Sequence, residues 1–355
     1  MSTPIVHPGN DEAIAQLVAD AGIVANHEVI ERMVATSLGF GGDGASKLDL
    51  KISSAALDEM REAFRLFEAH TGVPKVTVFG SARTAHDDPL YQQAHDVTAR
   101  LSERGWMAVT GAGPGIMEAA ASGAGPDRAL GVSIRLPFEE LPSDSVTGSS
   151  HHVTMKYFFT RKLMLVKESS GFVCLPGGFG TLDEMFELLT LQQTGKAEPV
   201  PIVLLDRPGG SFWTRLQEFV EAELEGGRYI SPGDFDRVLV TDSVDAAVAE
   251  ITGFWRNYHS LRWVGDRLVI RLRRTPSDAD LAGLNERFAG MLASGAIERA
   301  EPMRTERADG DALEQPRIRL TPARRRVGDL FRLIRAINEL STAPDLGTQE
   351  TQTPG

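Results

Sequence analysis

The sequence predicts an α/β fold: a doubly wound parallel sheet with a helical N-terminal extension and a small α+β unit at its C-terminal end. Three observations predict it. From residue 75 to residue 258, short β-branched runs alternate with stretches at helical spacing, the pattern of a parallel sheet covered on both faces. Three of those runs end in glycine-rich turns, at Gly80-Ser81, Gly111-Ala-Gly-Pro-Gly115 and Pro176-Gly-Gly-Phe-Gly180. On either side of this region the pattern changes, to helical before it and to mixed strand and helix after it.

The elements follow in order. Residues 1–70 read as peripheral helices, with Leu57, Met60, Phe64 and Phe67 at helical spacing after a glycine-rich break at 39–44. This region suits a packing or oligomerisation element. Strands are expected at 75–79, 106–110, 129–134, 171–175, 201–205 and 237–241. Helices are expected between them at about 90–104, 116–123, 155–167, 182–193 and 212–224, and after the last strand at 244–258. Residues 261–273 read as a strand or a hairpin around Gly265-Asp266, and 278–292 as an amphipathic helix. A strand at 317–320 and a helix at 327–340 follow, the latter with Leu330, Phe331, Ile334 and Ile337 on one face. The expected organisation is an extension at 1–74, a nucleotide-binding domain at 75–260, a small unit at 261–340 and a polar, disordered tail at 341–355.

Composition narrows the function classes. A net charge of −12 argues against sequence-independent nucleic-acid binding. The single cysteine, Cys174, lies in an apolar run, so neither a disulfide framework nor a cysteine metal site is available within one chain. The N-terminus lacks the basic and apolar regions of a signal peptide, and no run approaches the roughly 18 apolar residues of a membrane span. A cytoplasmic protein without a membrane partner is expected.

The chemistry concentrates at residues 176–184, Pro-Gly-Gly-Phe-Gly-Thr-Leu-Asp-Glu. A strand, a glycine turn and a helix start together make an anion site, because backbone N–H groups converge there and the helix dipole favours negative charge. The spacing of Gly177, Gly178 and Gly180 also suits a tight turn needing positive φ. Thr181 and Glu184 fit a capping box, with Thr181 as N-cap, and on that pattern alone capping is favoured over catalysis. A carboxylate beside a phosphate site is nonetheless electrostatically unfavourable, which invites a functional role. Gly111, Gly113 and Gly115 do not complete a dinucleotide fingerprint, since Ile116 stands where further glycine spacing would be needed. Arg161-Lys162, on the preceding helix, read either as solvated cations or as ligand contacts if that helix packs over the glycine turn. Arg83 is a further cation at a strand end, and Glu118 a favourable first-turn charge. His151-His152 lack metal-ligand spacing, so no metal is expected. Arg271, Arg273, Arg274 and the run 324–326 make the C-terminal unit locally basic. Alternating arginines on a strand suit a solvated face, with an anionic effector or acidic partner as the other reading.

These motifs together resemble the LOG ("Lonely Guy") family, cytokinin riboside 5′-monophosphate phosphoribohydrolases formerly described as lysine decarboxylases. Residues 176–184 match its P-G-G-x-G-T-x-x-E motif at every fixed position, and Arg161-Lys162 match its upstream pair. Val76-Thr-Val-Phe-Gly-Ser81 and Gly111-Ala-Gly-Pro-Gly-Ile-Met117 resemble its first two strand ends, and the likeness spans about residues 75–255. It implies a Rossmann-like fold and hydrolysis of a nucleoside 5′-monophosphate, AMP-like or a cytokinin nucleotide, to free base and ribose 5-phosphate. By resemblance Arg161 and Glu184 form the catalytic pair. Gly80, Ser81, Gly111, Gly113, Gly115, Glu140, Lys162, Gly177, Gly178, Gly180, Thr181, Asp183 and Thr190 hold substrate or phosphate. A homodimer or larger assembly is implied, and no cofactor.

Phe158-Phe-Thr before Arg161 departs from the Met-His-x that many members carry, and the extensions at both ends resemble a longer bacterial branch whose substrate need not be a cytokinin nucleotide. The chemistry expected is glycosidic cleavage through an oxocarbenium-like state, with Arg161 keeping Glu184 ionised. The alternatives are a nucleotide sensor without hydrolysis and a carrier of a phosphorylated cofactor such as molybdenum cofactor.

Overall fold

The computed structural model describes residues 10–135, 151–323 and 327–345. It divides into two compact units, one up to Arg61 and one from Glu62 onward. The first holds α1 (Asn10–Asp20), α2 (His27–Gly42) and most of α3 (Lys47–Glu68). Gly39 does not break α2, which runs on to Gly42. A glycine in a helix costs only about 1 kcal/mol, which neighbouring turns offset. The buried apolar residues of α3 are Ala56, Ala63, Leu66 and Phe67, whereas Leu57 and Phe64 are exposed. The expected stripe is therefore rotated toward the small residues, which permit closer packing.

The second unit contains a seven-stranded sheet in the order β4-β3-β2-β1-β5-β6-β7, parallel throughout among the described residues. Its strands are β1 (Lys75–Phe79), β2 (Met107–Thr110), β3 (Ala129–Ile134), β4 (His152–Met155), β5 (Gly171–Cys174), β6 (Ile202–Leu205) and β7 (Val238–Thr241). β4 was not expected: four residues behind a long polar loop give too short an alternation to stand out. The helices are α4 (Pro89–Glu103), α5 (Ile116–Ala124), α6 (Phe158–Lys167), α7 (Phe179–Gln193), α8 (Phe212–Phe219, continued by a π-helical turn to Glu225) and α9 (Val244–Gly253).

Alternation along β1 explains the layering. Val76 and Val78 join a core with Val97 of α4, Ala119 of α5 and Val248 of α9. Thr77 points the other way, and its hydroxyl donates to Leu165 O of α6 at 2.9 Å. Strand order reverses between β1 and β5, which carry the first and third glycine turns. Such a reversal opens a crevice at the carboxyl ends of the strands.

A second, antiparallel sheet follows in the order β10-β11-β9-β8, built from β8 (Tyr258–Val264), β9 (Arg267–Leu272), β10 (Leu292–Arg299) and β11 (Arg317–Pro322). α10 (Asp278–Phe288), α11 (Arg304–Asp309) and α12 (Val327–Asn338) accompany it. Leu268 and Ile318 of this sheet and Ile334 of α12 belong to the same continuous core as Val76 and Val203 of the first sheet. Asn338, at the end of α12, accepts from Asn257 and Tyr258 N–H and donates to Phe254 O, fixing where β8 begins. The expected helix to residue 258 thus ends five residues earlier.

Arg271 and Arg317 are not a solvated face. They pair in register on β9 and β11, are 4% and 3% exposed, and share Glu306 Oε1 of α11 at 2.8 Å each. Spacing along a strand cannot show that a later helix supplies the counter-charge. Glu306→Ala leaves the buried Arg317 guanidinium without a carboxylate and Arg271 with Asp311 alone, and a stability loss of about 3–5 kcal/mol is expected as a lowered urea midpoint. The run 324–326 lies outside the described residues. Among the described residues no helix is long and apolar enough to cross a membrane.

Candidate active site

A cleft of about 1150 Å³ opens over the carboxyl ends of β1, β2, β3 and β5. Gly80, Ser81, Gly111, Gly113, Gly178, Gly180, Thr181, Asp183, Arg161 and Glu184 all line it. Arg83 does too. Gly115, Gly177, Lys162 and Thr190 do not line it, and Glu140 lies outside the described residues.

The three glycine turns lock together behind the cleft. Gly115 has φ +68°, and a Cβ there would stand 2.5 Å from Ser81 O. A Cβ on Gly177 would stand 2.1 Å from Thr181 Oγ1 and 3.1 Å from Ser81 N. Ala112, between Gly111 and Gly113, holds φ 55° without being glycine. Such left-handed backbone costs about 1–3 kcal/mol and gathers at functional loops. Gly177, Gly178 and Gly180 do not have positive φ, so the tight-turn reading of their spacing is corrected. Nothing lies within 4 Å of a Cβ placed on Gly178 or Gly180. Within the chain neither glycine is sterically required, and both keep the cleft wall bare.

α7 starts at Phe179 with Gly178 as N-cap and no side-chain cap. Thr181 therefore lies inside the first turn and Glu184 one turn further, so the two form no capping box. The helix begins three residues before the position expected, because Gly178 accepts the first helical bond from Leu182 N–H at 3.1 Å. The uncapped first-turn N–H groups face the cleft end of the helix, where an anion fits.

Glu184 is 7% exposed, and its Oε2 is buried with no hydrogen-bond partner. Burial pushes its pKa up to about 7, against the pull of Lys162 and then Arg161, which hold it down. The expected ionisation by Arg161 is thus outweighed by desolvation. Arg161 donates from Nε to Val132 O at 2.9 Å and from Nη2 to Gly111 O at 3.3 Å. A Cβ on Gly111 would lie 1.9 Å from that Nη2, so this glycine makes room for the guanidinium. Burial lowers the Arg161 pKa while Glu184 raises it. A guanidinium remains charged regardless.

Lys162 bridges Asp183 at 2.6 Å and Glu187 at 3.0 Å, which ties α6 to α7 and sets Arg161 beside Glu184. Thr190 hydrogen-bonds Phe186 O within α7. Sequence reasoning missed Ser133, Arg135 and Thr154, which wall the cleft at β3 and β4. Ser133 and Arg135 stand at the end of the expected strand 129–134, while the only signal for Thr154 was the short alternation of residues 152–155.

A family model described as "Possible lysine decarboxylase" matches residues 115–251. The cytokinin riboside 5′-monophosphate phosphoribohydrolase of Mycobacterium tuberculosis is 33% identical over 185 residues, covering 50% of this chain and 93% of that protein. The chain belongs to the LOG family. The enzyme of the same name from Mycobacterium marinum is 30% identical, covering 49% of this chain and 90% of its own. Among solved structures, the molybdenum cofactor binding protein of Rippkaea orientalis covers 50% of this chain and 93% of its own, at 20% identity and TM-score 0.36. That likeness is too loose to carry any statement about ligand or function here. The LOG resemblance falls within the seven-stranded sheet and its helices. The antiparallel sheet and α1–α3 lie outside the motif-bearing region.

Proposed function

We propose that this LOG-family chain hydrolyses the N-glycosidic bond of a nucleoside 5′-monophosphate, releasing the free base and ribose 5-phosphate. The observation that carries this reading is Glu184: a buried carboxylate with an unpartnered oxygen, in a cleft wall, beside a guanidinium and one turn from an uncapped helix N-terminus. The names of the mycobacterial relatives agree with it.

In this reading the phosphate sits on the N–H groups of Phe179, Gly180 and Thr181, and binding energy from that remote end positions the reacting bond. The C1′–N bond breaks with its electron pair going to the base, and positive charge develops on the ribose. Ionised Glu184 stabilises that charge and takes a proton from the water whose oxygen bonds to C1′. The proton passes to the leaving base, so base and ribose 5-phosphate together account for substrate and one water. Arg161 orients the ribose through Nη1, which has no acceptor among the described residues. Exposed Phe158, Phe159, Leu163 and Phe186 on the linked α6 and α7 support association of two or more copies of the chain.

The test is release of base and ribose 5-phosphate from a panel including AMP, IMP, GMP and CMP. If all remain intact, the reading fails. Gly180→Ala gives a sharper test of the phosphate position. Its Cβ meets nothing, so stability should hold or rise by up to about 1 kcal/mol, as for glycine to alanine in a helix. KM for the nucleotide should rise about tenfold as the methyl group fills the anion site, and initial rates alongside a melting curve separate the two effects.

A further inference from the structure

The end of the cleft beyond Arg161 is built from β3 and β4 and owes nothing to the family motifs. Thr154 and Arg135 line it, with Ser133 between β3 and β4. Ser133 Oγ lies 2.9 Å from His152 Nε2 and donates to Thr154 Oγ1 at 3.0 Å. Val153 O, at 3.5 Å, is the more distant acceptor for the same proton. A serine hydroxyl has one proton to give. Given to Thr154, it requires His152 to donate from Nε2. Burial lowers the His152 pKa, so the ring is neutral near pH 7, and a neutral ring protonated on Nε2 meets that requirement. Among the described residues the Thr154 hydroxyl donates to no acceptor, which leaves its proton for a ligand in the cleft that Thr154 lines. Arg135, exposed at the end of β3, can only donate.

Distance across the sheet assigns this wall its part of the ligand. From β5, which leads into α7, to β3 is three strand spacings, about 14 Å at about 4.8 Å each. That is the span of a mononucleotide lying across the strand ends, with phosphate on α7, ribose at Arg161 and Glu184, and base at β3 and β4. We propose that Thr154, oriented by Ser133 and His152, together with Arg135, reads the base through donated hydrogen bonds, favouring a base that turns a carbonyl oxygen toward this wall over one that turns an amino group. The inference rests on the phosphoribohydrolase reading. An amino group there would meet the Arg135 guanidinium, which cannot accept, and would have to take the remaining lone pair of Thr154 Oγ1 at the expense of that hydroxyl's donated bond. A carbonyl oxygen accepts from both, and a site built to hydrogen-bond discriminates against the mismatched partner.

IMP and AMP form a matched test pair, differing chiefly in an oxo or amino group on the purine. The expected result is a kcat/KM about tenfold higher for IMP than for AMP, a ratio that falls toward one in Thr154→Val and is restored in Thr154→Ser. Arg135→Gln, at an exposed position where folding is not at stake, should lower the ratio independently. A ratio unchanged in both Thr154→Val and Arg135→Gln overturns the inference and leaves the hydrolase reading standing. If the wild type cleaves neither nucleotide, the hydrolase reading falls, and calorimetric Kd values for IMP and AMP in wild type and Thr154→Val still decide the wall. Equal affinities overturn it, and an IMP preference lost in the variant upholds it.

Discussion

Glu184→Gln should keep nucleotide binding and lose turnover by about 10²–10⁴-fold, the range for removing a positioned acid or base. Glutamine keeps the shape and fills the same space, but it cannot carry the charge that offsets an oxocarbenium-like state or take a proton from water. Single-turnover rates beside a binding isotherm separate these effects, and an equal fall in both would remove Glu184 from the chemistry. Its pKa near 7 adds a pH signature. Wild-type turnover should rise through about pH 7 as the carboxylate ionises. Stability should move the opposite way. A carboxyl whose folded pKa is raised above the unfolded value of 4.5 contributes stability that is fully present below pH 4.5 and lost as pH rises through about 7. The linked change is on the order of 3 kcal/mol. Glu184→Gln abolishes that dependence, so at pH 8 the variant should melt at a higher temperature than the wild type. A functional carboxylate that destabilises its own fold is the expected cost of an active site.

Gly111→Ala should reduce turnover about 10²-fold while the protein stays folded. The added methyl would stand 1.9 Å from Arg161 Nη2 and 2.8 Å from Met117 Sδ. Both are ends of flexible side chains, so they move and the backbone does not have to. Arg161 then loses its bonds to Gly111 O and Val132 O, and its displacement by about an ångström carries the loss. A variant with native circular dichroism and wild-type activity would show that the guanidinium position is immaterial.

Much of this site was legible in the chain. The glycine turns at 80–81, 111–115 and 176–180 mark strand ends because glycine admits close approaches that any Cβ would block, as the contacts behind Gly115 and Gly177 show. Other features were hidden for a physical reason. Residues 181–184 spell a capping box, yet the helix starts at Phe179, because a helix begins wherever its first carbonyl finds a partner and not only where a cap is available. β4 carries too few residues to show a period, yet it supplies Thr154 to the cleft. The arginines of β9 and β11 alternate as surface residues do, yet Arg271 and Arg317 are interior because Glu306, on the helix between the two strands in the chain, supplies a shared counter-charge.

Local pattern alone determined the alternating strand and helix order and the three glycine-rich strand ends, since backbone sterics and periodicity act over a few residues, while Arg161 and Glu184 became a pair only through the resemblance to the LOG family. Only the tertiary structure decided that β1 and β5 lie side by side at the reversal of strand order, that burial holds Glu184 near pH 7 against two cations, and that β3 and β4 close the far end of the cleft. Desolvation and proximity between distant segments depend on how the whole chain packs, and no short stretch of sequence encodes them.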